Sequence, residues 1–230
     1  VGEDVRVNTE PMTLDDVLRD RWSCRAFLPE SVPIETLREV FALAQRAPSW
    51  CNTQPWRAHL VTGEATARFA GSLTEHLAGS PMSSDLPMPT EYVGVAKERR
   101  RESGYALYSS LGIARDDLDA RGAQMLRNFE FFGAPHVAII TTDAHLGVYG
   151  AVDCGGYVAT LLNAAHSRGV ASVAQAAIAM YSDHVRDFLD LPADRQVLCA
   201  VSLGYADLEH PANAFRTSRA GLEETLVVVD

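Results

Sequence analysis

The sequence has no Cys-x-x-Cys pair, and its four cysteines, Cys24, Cys51, Cys154 and Cys199, are scattered along the chain. That rules out a zinc ribbon and argues against a disulfide framework, so the four read as reduced thiols of a cytoplasmic protein. No apolar run approaches the roughly 18 residues of a membrane span, so no membrane partner is expected. The first residues, Val1-Gly2-Glu3-Asp4, are acidic and lack the charged and apolar regions of a signal peptide, which again sets the expectation of a cytoplasmic location. Cations are the minority charge: 20 Lys and Arg stand against 30 Asp and Glu, for a formal net charge of −10. Phosphate backbones are held by clustered cations, so nucleic acid is not an expected partner. There is no G-x-G-x-x-G, no G-x-x-x-x-G-K-[ST], no G-x-S-x-G and no H-E-x-x-H. The seven histidines are dispersed, and no metal site is expected. Hydrolases, kinases and zinc enzymes thereby lose their leading claim.

What is present is a globular composition, 47% hydrophobic and 22% charged over 230 residues. A chain of this length buries roughly 70% of its unfolded surface, enough for one sizeable core. The expected organisation is one domain spanning 1–230, with a loose arm over 1–12. Thr13 can cap a helix over 14–21 whose first turn carries Asp15 and Asp16. A second helix opens at Pro33, buries Leu37, Val40, Phe41 and Ala44 on one face, and stops at Ala47 before Pro48. A strand is expected over 57–62, a helix over 64–78 and helical pattern over 102–111 and 115–131. The run 136–142 is continuously apolar and β-branched and reads as a central strand. A long, nearly uncharged helix rich in small residues spans 150–168 and should pack against another helix. A short strand or turn at 170–175, a capped helix over 182–190, a core strand over 196–205 and an extended apolar tail over 223–229 complete the pattern.

Residues 79–101 stand apart. The first part holds three prolines and several serines, the last part is highly charged, and stretches of this kind form lids, binding loops or mobile excursions. Composition leaves the lid and the surface excursion both open.

Two local stretches suggest chemistry. In Arg21-Trp22-Ser23-Cys24-Arg25-Ala26-Phe27, two guanidiniums flank a hydroxyl, an arrangement that can grip an anion. A solvated helix end is the simpler reading of that stretch alone. Pro48-Ser49-Trp50-Cys51-Asn52-Thr53-Gln54-Pro55-Trp56 pins two indoles and two amides between prolines, which suits either an aromatic heterocycle or a well-packed structural loop.

Together, R-x-S-x-R-x-F at 21–27 followed by P-S-x-x-N-x-Q-P-W at 48–56 resembles the N-terminal signature of the FMN-dependent nitroreductase family. The resemblance continues through 150–177, Leu203-Gly204-Tyr205, and Arg216 and Arg219. It implies an α+β fold with a mixed, mainly antiparallel sheet wrapped by helices, and a domain-swapped homodimer whose C-terminal tails lie on the partner. It implies FMN as cofactor, NADPH or NADH as electron donor, and a ping-pong reduction of nitroaromatic or related electron-poor aromatic substrates. By resemblance, Arg21 and Ser23, with Trp22 between them, fall at the FMN phosphate. Arg25 falls beside the flavin pyrimidine as electrostatic support, since no side chain is expected to act as a catalytic acid or base. Ser49, Trp50 and Asn52 match the loop that reaches the flavin from the other subunit. Gln175, Ala176 and Ala177 match the turn at flavin O4 and N5, and Arg216 and Arg219 match basic residues at the phosphate.

The sequence departs from the family pattern at two points. Ala176-Ala177 replaces the frequent Glu-Gly pair, leaving backbone contacts there, and Trp50 replaces smaller residues and can narrow the substrate slot. Tyr92, Lys97 and Arg99 in the 79–101 segment are candidate substrate contacts, alongside Trp50. The same superfamily includes reductive deiodinases and enone reductases, and a flavin-binding protein without turnover is a further alternative.

Overall fold

The computed structural model describes residues 12–229, so the expected arm over 1–12 lies almost wholly outside the described residues. Helix α1 (Leu14–Asp20) begins where the sequence places it. The Thr13 hydroxyl accepts from the Asp16 backbone N–H, and the Asp16 carboxylate accepts from the Thr13 backbone N–H, a reciprocal cap. Helix α2 (Ile34–Ala44) buries Leu37, Val40 and Ala44. It ends three residues earlier than expected, because 45–47 close as a turn ahead of Pro48.

Strands β1 (Arg57–Thr62), β2 (His136–Asp143), β3 (Ala171–Gln175) and β4 (Arg195–Gly204) form one sheet in the order β1-β2-β4-β3. All three ladders are antiparallel, and the one parallel pairing among the described residues is the isolated bridge between Ser23 and Ser172. Strand β2 is central and buried on both faces, which is why it reads as an unbroken apolar run. Its side chains alternate between two cores. Val137 and Ile139 join Phe69, Leu73, Phe131 and Val185, whereas Ala138 and Ile140 join Leu37, Val40, Tyr157 and Leu161. Helices α3 (Glu64–Leu77) and α7 (Ser182–Leu189) therefore cover one face of the sheet, and α2 and α6 (Gly147–Ser167) the other. The architecture is α+β, as the resemblance implies.

Helix α6 packs on α2, as its small residues suggest. Gly150 is required where α6 leaves the end of β2: an added Cβ would lie 2.8 Å from Leu146 Cβ and 3.0 Å from Thr142 Oγ1. Among the described residues the opposite face of α6 is largely uncovered, with Val148 76%, Tyr149 61% and Val152 61% exposed and Gly155 and Gly156 open beside them. The C-terminal tail makes a single turn at Leu222–Glu224 and then leaves Leu226 to Val229 largely exposed.

The 79–101 segment departs most from expectation. Residues 79–93 are irregular but anchored: Ser83 N–H donates to Met180 O at 2.9 Å, and Asp85 ties to α7 and β4. Asp85 Oδ1 accepts from Arg186 Nη2 at 2.5 Å, and Oδ2 accepts from Val197 N–H at 2.7 Å. Helix α4 (Gly94–Ser110) then runs straight through the expected boundary at Arg101. It has no buried residue, so there was no apolar periodicity from which to read its start. Helix α5 (Leu118–Leu126) is shorter than the expected 115–131, because Asp117 caps it late and Phe131 and Phe132 adopt left-handed backbone.

Candidate active site

The stretch 21–27 is laid against the end of the sheet. Cys24 N–H donates to Ser172 O at 3.1 Å, and Leu28 N–H to Tyr205 O at 2.9 Å. Asn213, 3% exposed, fixes the middle of the stretch with three hydrogen bonds. Its Oδ1 accepts from Arg25 N–H at 2.8 Å, and its Nδ2 donates to Ala26 O at 2.8 Å and Asp207 O at 2.7 Å. The amide thus joins the first signature to the C-terminal segment that carries Arg216 and Arg219. Sequence reasoning missed Asn213; its signal was a lone amide three residues before Arg216.

Four arginines gather here, and none of Arg21, Arg25, Arg216 and Arg219 forms an ion pair among the described residues. Arg21 is held below its ordinary pKa first by burial and then by the like charge of Arg219, so these two guanidiniums are electrostatic neighbours. Arg25 is also lowered by burial. Its Nη1 donates to Ser23 O at 3.1 Å, and its guanidinium lies 5.4 Å from the Phe215 ring centroid. The Arg216 guanidinium sits over the Trp22 indole at 4.1 Å and donates to Asn213 O at 2.9 Å. Arg219 donates to Thr217 Oγ1 at 2.8 Å. The Ser23 hydroxyl makes no hydrogen bond among the described residues, which leaves it available to a ligand. Glu102 approaches this end, accepting from the Ser218 hydroxyl at 2.8 Å, but pairs with none of the four arginines; cations left unpaired in this way can receive an anion, and the donor set suits the phosphate of FMN. Cys24, within the same stretch, is no nucleophile: burial pushes its thiol up to about 11.

Beside Arg25 opens a concavity of about 230 Å³, floored by Val173 and Ala174 of β3. Leu107 and Tyr108 of α4 and Gln124, Met125 and Asn128 at α5 wall it. These wall residues were not singled out by sequence, because nothing in their spacing marks them. The Gln175 side chain is turned to internal work, donating to Asn128 O at 2.8 Å and accepting from Ser202 Oγ at 2.5 Å. Only its backbone, with that of Ala176 and Ala177 at the start of the following 3₁₀ turn, remains for a ligand.

The second signature lies elsewhere in the chain. Trp50 N–H donates to Asp153 Oδ2 of α6 at 3.1 Å, and the Trp50 ring meets Tyr149 at 4.7 Å. Cys51, Asn52 and Gln54 all have positive φ, of 52°, 55° and 47°. The strain is held by Gln54 N–H donating to Ser49 Oγ and by the Gln45–Gln54 amide contact. Strained backbone of this kind persists where surrounding contacts over-determine it, commonly at ligand sites. None of Ser49, Trp50 and Asn52 lines the Arg25 concavity, so one chain does not bring the two signatures together.

The substrate candidates of 79–101 do not converge on the concavity either. Arg99 donates to Glu224 at 3.0 Å, the Tyr92 ring is covered by the Arg100 guanidinium at 5.1 Å, and Lys97 is exposed. The part of α4 that reaches the concavity is about two to three turns further on, at Leu107 and Tyr108.

An antiparallel sheet between helix pairs, with a cluster of unpaired arginines and a cleft at its end, defines an α+β protein with an anion-receptive site. The sequence matches the description "Nitroreductase family" over residues 18–205. It is 40% identical over 210 residues to Nitroreductase NfnB of Mycolicibacterium smegmatis, covering 91% of this chain and 89% of that protein. It is 35% identical over 210 residues to the 4-nitrobenzoate reductase of Nocardioides sp., covering 89% of this chain and 85% of that protein. A crystal structure of the FMN-dependent nitroreductase NfnB from Mycobacterium smegmatis in complex with NADPH superposes with a TM-score of 0.90 at 39% identity. It covers 94% of this chain and 97% of that one. The chain belongs to the nitroreductase family.

Proposed function

We propose that this protein is an FMN-dependent oxidoreductase that uses NADPH to reduce nitroaromatic compounds. The observation that carries the reading is the half-buried, carboxylate-free Arg25 at the mouth of the concavity, with Arg21, Arg216 and Arg219 beside it. Family membership and relatives that are FMN-dependent, NADPH-bound or active on 4-nitrobenzoate give that geometry its chemistry. FMN, when bound, supplies two-electron redox chemistry between a nicotinamide and a nitro group. The chain's own residues position and charge-stabilise. Arg21, Ser23 and Arg219 bind the phosphate; Arg216, stacked on Trp22, closes that end. Arg25 presents a fixed cation where negative charge develops, and the backbone at 175–177 offers N–H groups to the ring edge. No residue need act as a strong acid or base. Donor and acceptor occupy one cleft in turn, which predicts parallel double-reciprocal lines.

The functional unit in this reading is a homodimer. The concavity is smaller than the roughly 300–1,000 Å³ of most small-molecule sites, in keeping with a cleft that lacks a wall. Ser49, Trp50 and Asn52 of a second copy supply that wall, and the uncovered apolar face of α6 and the Leu226–Val229 tail supply the contact.

Releasing the chromophore by heat and identifying it by chromatography tests the assignment. FMN is expected; FAD, or a colourless protein, overturns it. Sedimentation at low concentration tests the assembly, with a flavin-loaded dimer expected and a yellow, active monomer contradicting it.

A further inference from the structure

The cleft wall made by α4 and α5 continues outward into a second group of cations. The Arg121 guanidinium lies 4.9 Å from the ring centroid of Tyr108, which lines the concavity. Arg121 Nη1 donates to Arg115 O at 2.9 Å, so Arg115 comes next in the chain of contacts. The Arg115 guanidinium in turn sits 4.8 Å from the Tyr105 ring, and Arg101 approaches the same ring at 5.9 Å. Arg101, Arg115 and Arg121 form no ion pair among the described residues, although Asp116, Asp117 and Asp119 stand on the same stretch of chain. Asp117 is engaged at the start of α5, where it accepts from Ala120 N–H. Arg121 Nε is shielded from solvent and has no hydrogen-bond partner. Arg101 and Arg115 are exposed and Arg121 is half-buried, so the group presents unpaired guanidinium donors to solvent beside two tyrosines.

We propose that Arg101, Arg115 and Arg121, ordered by Tyr105 and Tyr108, form a carboxylate-recognition site at the rim of the cleft and make the protein selective for nitroarenes that bear a carboxylate. The inference rests on the reading that the cleft takes a nitroarene. It names the chemistry by which one nitroarene is chosen over another. A planar guanidinium fork matches a carboxylate with two parallel hydrogen bonds, and a phenol beside it adds a third donor. Tyr105 is already set for this: its hydroxyl is held below its ordinary pKa, first by the hydrogen bond from Arg101 and then by the charge of Arg115. The aromatic body of such a ligand would lie along Tyr108 and Gln124, toward the cleft that Arg25 borders. Arg99, the sequence-based candidate for this role, is already paired with Glu224.

The test uses the holoprotein and two probes that differ only in the carboxylate, 4-nitrobenzoate and nitrobenzene. Wild type is expected to favour 4-nitrobenzoate in kcat/KM by about tenfold, with the preference shrinking as salt is added. Arg115→Gln and, from the other side of Tyr105, Arg101→Gln should each remove most of that preference. Activity on nitrobenzene and KM for NADPH should stay within about twofold of wild type, and Arg115→Lys should restore part of the preference. Calorimetric binding of benzoate, which is not reduced, gives a readout free of turnover, and both glutamine variants should weaken it about tenfold. Failure to reduce either nitroarene would sink the functional reading, while benzoate binding would still report on the site. The site itself is overturned by equal losses on both acceptors, by unchanged benzoate binding in the variants, or by a loss confined to NADPH. That last outcome would assign the arginines to a nucleotide phosphate.

Discussion

Replacing Asn213 by alanine strands three backbone groups at once. The Arg25 N–H loses its acceptor, and the Ala26 and Asp207 carbonyls lose their donor. Each buried group left unpaired costs roughly 1–3 kcal/mol. The bonds to Arg25 and Asp207 are only partly buried, so water recovers some of the loss and the sum is set at about 3 kcal/mol. In a chain of this length, each kcal/mol moves the midpoint by about 2–4 °C, so Tm should fall by about 6–12 °C. Urea denaturation of the flavin-free protein measures the stability directly. Because the amide also fixes the backbone that carries Arg25, flavin affinity should drop by about tenfold in the same variant. Asn213→Asp separates shape from chemistry. It keeps the acceptor for Arg25 N–H but sets an oxygen against two carbonyl oxygens, so it should be at least as destabilising as alanine. A loss under about 0.5 kcal/mol for Asn213→Ala, or a stable Asn213→Asp, would refute the view that this amide holds the signature in place.

Arg25→Ala should slow flavin reduction by NADPH by roughly 10²–10³ in stopped-flow while weakening FMN binding far less, because a fixed cation matters most as negative charge develops; equal rates would place Arg25 outside the chemistry. Gly204→Ala should cost about 1–3 kcal/mol in denaturant unfolding, since its Cβ would meet Pro135 Cδ at 2.8 Å and Phe27 Cδ1 at 3.0 Å at the strand end on which the site rests. Stability should also decline in mild acid. His59, His136, His166 and His184 are all held below their ordinary value of 6.5, chiefly by burial, so the folded protein binds fewer protons than the unfolded one below that value. Their contribution is complete above pH 6.5 and is lost as the pH falls through the lowered folded values. A urea midpoint that does not shift between pH 7.5 and 5.5 would contradict this.

How far the sequence could be read depended on whether packing left a pattern in it. Strand β1 has the bounds expected of it, Arg57–Thr62, and the Thr13 cap and the doubly buried β2 were equally legible. Helix α4 was not, because a solvated helix has no apolar stripe to betray its start. The run Phe129, Phe131, Phe132 imitates a continuing α5 face, yet the last two residues turn left-handed to send those rings into the core. Arg21, Ser23 and Arg25 were legible as site candidates only together with the 48–56 stretch, because cations around a hydroxyl are by themselves more simply a solvated helix end. Asn213 and Tyr108 were not, since a single amide or phenol acquires its role only when distant segments meet. Sequence adjacency also could not separate the two signatures, which in one folded chain lie against different elements.

The most direct test is an anaerobic titration of the purified protein. Stoichiometric NADPH should bleach the visible flavin band, and a nitroarene added afterwards should restore it without air. A protein that carries no flavin, or a flavin band that NADPH leaves intact, would contradict the account.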